Sequence, residues 1–156
     1  MALITGESLM AETTKRQIPI KEGMMKLPHA PGEKGGLIGC KCRKCGARYF
    51  VLRDICENCQ SQDLQEITLS DTGKLYAFSV MYYPAPPPYK PPDPFVPFGI
   101  GWVELPEGLV IYSLLSENDP KKLRVGMKME LTFSKFDKDK DGNDIVVPMF
   151  KPVSEN

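Results

Sequence analysis

The sequence predicts an almost entirely β chain: a small ribbon pinned by cysteines, then a five-stranded closed barrel, approached through an extended N-terminal arm. Three observations carry that expectation. All five cysteines fall between Cys40 and Cys59, four of them in two C-x-x-C pairs. Beyond them come short stretches rich in β-branched and aromatic residues, separated by Gly, Pro and Asp turns. Helical periodicity is weak almost throughout, and 15 prolines in 156 residues leave little room for long helices.

Residues 1–36 read as the arm. They are polar, with Gly and Pro near the end and brief apolar touches at Ile18, Ile20, Met24, Met25 and Leu27. An extended segment with at most one short helix is expected, disordered at its start. The plain reading is a frayed tail; the functional one is a strap laid on a partner. The opening MALITGESLMAETTK has no basic region and no apolar run of signal-peptide length. No other stretch approaches the roughly 18 apolar residues of a membrane span. The chain therefore reads as cytoplasmic, with no membrane partner and with reduced thiols. Its odd cysteine count also argues against a disulfide framework.

Residues 37–66 read as the ribbon. Cys42 and Cys45 form one C-x-x-C, and Cys56 and Cys59 form another after ten intervening residues. Two residues between ligands let a tight turn aim both sulfurs at one ion, and two such turns complete a tetrahedral thiolate site. Gly46 follows the first pair, where the chain often needs a left-handed residue; Gln60 stands in that place after the second. Cys40 is the spare thiol, because pairing it with Cys45 would give the poorer C-x-x-x-x-C turn. The spacing points to structural Zn2+, with rubredoxin-type iron as the alternative, since four thiolates alone do not choose between them. Four cysteines close the shell, so no position is left for a catalytic water. The one histidine, His29, lies in KLPHAPGEKGG and reads as a surface loop residue. Zinc binding is worth about 10–16 kcal/mol in small modules, enough to fold a ribbon that lacks a core.

Residues 67–156 read as the barrel. Its strands are GKLYAFSVMYY (Gly73–Tyr83), FGIGWVEL (Phe98–Leu105), GLVIYSLL (Gly108–Leu115), MKMELTF (Met127–Phe133) and DIVVPMF (Asp144–Phe150). The second and third flank the turn Pro106–Glu107 and make a hairpin. Five short strands with turns between them fit the oligonucleotide/oligosaccharide-binding (OB) type. Pro84–Pro97 reads as a stiff polyproline loop lying on the barrel or on a partner. Tyr82, Tyr83, Tyr89, Phe95 and Phe98 give it an aromatic load of the kind interfaces use. DKDKDG, from Asp137, imitates a calcium loop, but its twelfth position is Pro148 where a bidentate Glu is required. It reads as a charged hairpin turn.

No catalytic residue is assigned. The chain has no second histidine, nucleophile elbow, phosphate-binding loop or dinucleotide fingerprint. A single-stranded nucleic-acid-binding ribbon/OB module is an alternative, because both modules serve that role, but charge argues against it. Twenty basic and twenty acidic residues cancel, so no overall field steers the chain to phosphates. In the ribbon, Lys41, Arg43, Lys44, Arg48 and Arg53 are offset by Asp54, Glu57, Asp63 and Glu66. Zn2+ with four thiolates would add a net charge of about −2.

The order LIGCKCRKCG, ICENC, DTGKLYAFSV, PFGIGWVELPEGLVIYSLL and LRVGMKMELTF resembles a known family. It is similar to OB-fold proteins with a rubredoxin-like zinc ribbon that associate with acyl-CoA enzymes, over roughly Leu37 to Phe150. The resemblance implies a non-catalytic subunit in a hetero-oligomer with a thiolase-fold enzyme, or in some members with an acyl-CoA hydratase. The partner would act on a CoA thioester while ribbon and barrel stabilise it and shape its entrance. The arm lacks the paired helices of some hydratase-associated members, so the chain looks closer to the thiolase-associated type; the small subunit of benzoylsuccinyl-CoA thiolase is one such relative. The implied metal positions are Cys42, Cys45, Cys56 and Cys59. Lys90, amid the aromatic loop, is the candidate for lining a CoA channel. One departure concerns Phe50-Val51-Leu52-Arg53, where many members have F-P-x-R: Arg53 is kept and the proline is not.

Overall fold

Alternation along each strand decides which way the barrel walls face. In the computed structural model, which describes residues 16–87 and 89–154, Val103 is buried while its neighbours Trp102 and Glu104 point outward. The same rule sets Leu75 between Lys74 and Tyr76, and Ile111 between Val110 and Tyr112. Five strands form the wall: β6 (Thr72–Met81), β7 (Phe98–Glu104), β8 (Val110–Leu115), β9 (Lys128–Lys138) and β10 (Asp144–Pro152). Before them come β1 (Gln17–Pro19), β2 (Met25–Lys26), β3 (Gly36–Cys42), β4 (Arg48–Phe50) and β5 (Leu64–Thr68), with no helix among the described residues.

The wall closes. β6 pairs with β7 and β7 with β8, both antiparallel; β8 meets β10 in parallel; β10 pairs back to β9, and β9 to β6. A five-stranded barrel in which the third strand lies beside the fifth is the expected OB arrangement. Leu75, Val103, Leu105, Ile111, Met129 and Phe150 fill it. Gly99, near the start of β7, is glycine because a Cβ there would collide with the Glu117 carbonyl oxygen.

Two sequence expectations are corrected. β9 continues to Lys138, so the first residues of DKDKDG are strand, and the turn is confined to Asp139–Asn143. There the Asp139 carboxylate accepts the amides of Asp141 and Asn143 and the Asn143 side-chain amide, at 2.8–2.9 Å. Those bonds, led by the Asn143 side chain, hold its carboxyl below the usual range. The charged run misled because alternating Asp and Lys also suit a solvent-facing ribbon.

The arm is extended as expected, and the second correction concerns only what it lies on. Among its described residues there is no helix, and the segment lies on its own chain instead of awaiting a partner. β8 reaches β10 only at Leu114 and Leu115, leaving the first half of that edge open. β1 fills it in parallel register, Gln17 opposite Asp144 and Pro19 opposite Val146. β2 then pairs with β3, and Met25 and Leu27 sink into the shared core. The expectation for the start of the arm concerns residues 1–15, which lie outside those described.

The ribbon is not a separate bead. β3 is its central strand, between β5 on one side and β2 and β4 on the other. Its Leu37, together with Leu69, belongs to the same apolar cluster as Phe150 and Met129 of the barrel. The proline loop also lies on the barrel. Tyr89 packs on Phe98 and Phe136, with centroids 6.1 and 5.8 Å apart, and Phe95 meets Phe98 edge-on at 6.4 Å. Tyr82 and Tyr83, at its start, stay exposed.

Candidate metal centre

Two turns of the same geometry build the site. Gly46 N–H donates to the Cys42 carbonyl at 2.9 Å, and Gln60 N–H donates to the Cys56 carbonyl at 2.8 Å. Each turn ends in a left-handed residue, Gly46 at φ 77° and Gln60 at φ 58°. Glycine takes that conformation freely; a residue with a Cβ does so at a cost of about 1–2 kcal/mol. Gln60→Gly is therefore expected to raise the midpoint of thermal unfolding by a few degrees, without altering metal stoichiometry. A calorimetric scan of parent and variant would decide it, and a lowered midpoint would mean that the glutamine side chain contributes something the backbone does not explain.

The turns bring four sulfurs together. Cys42, Cys45, Cys56 and Cys59 place their Sγ atoms within 4.8 Å of one another. The closest approaches are 3.6 Å for Cys42 to Cys59 and 3.5 Å for Cys45 to Cys56. A tetrahedron with sulfurs about 2.3 Å from its centre has edges of about 3.8 Å, so the set has the dimensions a zinc or iron site requires. Cys42 and Cys56 are buried, Cys59 half-buried and Cys45 exposed. Cys40 stands outside the group and turns its thiol to the Val51 carbonyl at 3.5 Å.

Electrostatics explain why such a cluster wants a cation. The Cys56 thiol is drawn down to about 6, chiefly by its hydrogen bond with the Tyr49 hydroxyl. Cys45 is lowered by the Asn58 side chain and the Ala47 amide. For Cys59 the Ser61 backbone pulls the same way, but burial and the surrounding thiols outweigh it and push the group up to about 12. Thiols packed this tightly cannot all ionise unless a positive charge sits among them.

Around the sulfurs, exposed ion pairs neutralise the ribbon locally: Lys26 with Glu66 at 2.9 Å, Arg43 with Asp63 at 3.7 Å, and Arg53 with Glu57. Val51, at the departure from the F-P-x-R pattern, adopts φ 68° and donates its N–H to the Ile38 carbonyl at 3.0 Å. Proline can do neither, so this loop follows a path closed to a proline-bearing chain. The other candidates lie elsewhere. His29 is exposed and is not among the grouped ligands. Lys90 is exposed, 3.9 Å from the Asp137 carboxylate, on a groove of about 490 Å3. Ala85, Tyr89, Pro92, Phe98, Leu114 and Phe136 give that groove its apolar lining. Sequence reasoning missed Tyr49, which carries no spacing signal of its own.

Known proteins share both halves of this arrangement. Residues 29–65 match the ChsH2 rubredoxin-like zinc ribbon domain, and residues 66–134 match the ChsH2 C-terminal OB-fold domain. A DUF35 domain-containing scaffold protein of Methanocaldococcus jannaschii is 35% identical over 125 residues, spanning 78% of this chain and 84% of the relative. The chain belongs to the DUF35 family. The benzoylsuccinyl-CoA thiolase subunit BbsA of Thauera aromatica is 29% identical over 131 residues, covering 80% of this chain and 81% of that subunit. Among solved structures, the Ltp2-ChsH2(DUF35) aldolase aligns with a TM-score of 0.59 at 25% identity, covering 75% of this chain and 84% of the other. Among the described residues of this DUF35 protein, no helix is long and apolar enough to cross a membrane.

Proposed function

We propose that this DUF35 chain is an accessory subunit of a thiolase-type acyl-CoA enzyme complex, in which a catalytic subunit supplies the chemistry. One observation carries the reading: ribbon and barrel together align over about four-fifths of a named thiolase subunit, BbsA. The Ltp2-ChsH2(DUF35) aldolase adds support, since there a chain of similar fold is named together with a second protein. In this reading Cys42, Cys45, Cys56 and Cys59 hold a structural Zn2+. The ribbon (residues 37–66) and barrel (67–156) act as one rigid body against the partner. The apolar groove beside Lys90 borders the route of the CoA thioester, an anion that an exposed ammonium group suits.

The test is purification of the tagged protein from its own host, with mass identification of what co-elutes. A thiolase-fold protein in near-stoichiometric amount is expected. A hydratase would keep the family and change the reaction, and nucleic acid alone would reject the proposal. One observation favours that last outcome: Trp102 and Tyr112 lie with ring centroids 5.0 Å apart, tilted by 51°, on the outer face of β7 and β8, the strands OB barrels use for ligands. The balanced charge of 20 basic and 20 acidic residues weighs against it.

Lys90 supplies a second test. Lys90→Glu places a carboxylate beside Asp137 and reverses the charge at that position of the groove, leaving Lys135 as its remaining lysine. It is expected to raise the KM of the assembled complex for its CoA thioester by about three- to tenfold, a loss of one favourable charge contact. Subunit stoichiometry on gel filtration should not change. Unchanged Michaelis parameters would remove Lys90 from the route.

A further inference from the structure

Two side chains of the ribbon support ligand sulfurs from outside the cluster: Asn58 reaches Cys45, and Tyr49 reaches Cys56. Tyr49, on β4, places its hydroxyl 3.2 Å from Cys56 Sγ. The same hydroxyl oxygen accepts the backbone N–H of Asn58 at 3.2 Å. A phenol has one proton, and Asn58 already uses an oxygen lone pair, so the proton is free to point at the sulfur. A metal-bound thiolate has no proton to give, which fixes the direction from Tyr49 to Cys56.

The ring is held from behind. The Arg53 guanidinium lies 5.3 Å above its centroid, and Arg53 is paired with Glu57. A cation over the ring draws electron density from it and makes the phenol a better donor. Glu57 and Asn58 are the two inner residues of the second C-x-x-C turn. That turn thus anchors both ends of the device: Glu57 fixes the cation and Asn58 fixes the hydroxyl. The first turn has Arg43 and Lys44 at the corresponding places, so it offers no carboxylate to anchor a cation.

We infer that Tyr49 is a positioning residue of the metal centre, donating to Cys56 Sγ and drawing charge from that one ligand, with Arg53 setting the strength of the donor. The inference rests on the metal reading of the four cysteines. Hydrogen bonds from outside the ligand set fix sulfur orientation and moderate its donation, and losing one typically costs about 10–100-fold in metal affinity. They also lower the energy of the sulfur lone pairs, so the colour of a metal–thiolate site reports them directly.

The experiment uses the full-length chain loaded with Co2+, whose thiolate-to-metal charge-transfer absorption reports the sulfurs. Tyr49→Phe keeps the ring and its cation and removes only the hydroxyl. Its charge-transfer band is expected to move to lower energy, and competition with a chelator should show about 10–100-fold weaker binding. Arg53→Gln should move the band the same way by a smaller amount. A folded Tyr49→Phe chain with the parent's band and affinity would overturn the inference. Should Tyr49→Phe fail to fold, Arg53→Gln decides: a shifted band supports the role and an unshifted one overturns it. A parent chain that shows no tetrahedral thiolate spectrum would instead overturn the metal reading, an outcome distinct from either variant result.

Discussion

A Cys56→Ser chain is expected to retain less than about a tenth of the parent's metal, because a serine hydroxyl does not ionise near neutral pH and cannot replace a thiolate. The structural consequence follows from what the ribbon tip lacks. Between Arg43 and Asp63, Cys56 is the only buried residue, so no apolar core stands ready to hold the two turns. The tip also carries left-handed conformations at Val51 and Gln60, both residues with a Cβ, which something must offset. The metal is the available source of that stability. Amide exchange in residues 43–63 should therefore become fast, and the thermal midpoint should fall by about 10 °C or more. The barrel should survive, because the residues that fill it, Leu75, Val103, Leu105, Ile111, Met129 and Phe150, all lie outside the ribbon tip. The near-ultraviolet signal of the lone tryptophan would report that. A metal-free variant with a protected tip and an unshifted midpoint would show that the sulfurs are not what holds this region together.

The parts of this fold that follow local rules were readable from the residues. Two C-x-x-C pairs and alternating strands need only neighbours within a few positions, and both the ribbon and all five barrel strands emerged from them. What escaped depends on distant partners. β1 forms because β8 leaves half of the β10 edge open, and nothing in Gln17–Pro19 announces a pairing with residues 144–146. The same holds for Tyr49, which becomes part of the site only when β4 folds beside the second turn. Gln60 and Val51 were visible as departures from a pattern, yet the backbone, not the side chain, determines what they mean. One takes the left-handed conformation that glycine takes at Gly46, and the other a conformation that proline cannot reach. A charged run gave the opposite error. Asp137 and Lys138 looked like turn residues, but they are the outer end of a long strand whose partner is Asp144–Ile145.

Leu37→Ala should unfold ribbon and barrel together. The side chain is fully buried, and it comes from the central strand of the ribbon, yet it lies in one cluster with Leu75, Val103, Met129 and Phe150 of the barrel. Truncating such a leucine leaves a cavity and removes its burial, typically at a cost of about 2–5 kcal/mol. For a chain of this size that corresponds to a fall of roughly 5–15 °C in the thermal midpoint. The distribution of the loss matters more than its size. Leu69, which donates its N–H to the Leu37 carbonyl at 2.9 Å, ties β5 into the same contact, and Met25 and Leu27 bring the arm to it. With arm, ribbon base and barrel sharing one core, the calorimetric transition should stay single, and exchange in barrel strands should accelerate along with exchange in β3. A second, lower transition in the variant, with barrel protection unchanged, would mean two independent bodies. Under the proposed accessory role, a partner seated on both ribbon and barrel would load the core they share, and Leu37 lies at that junction.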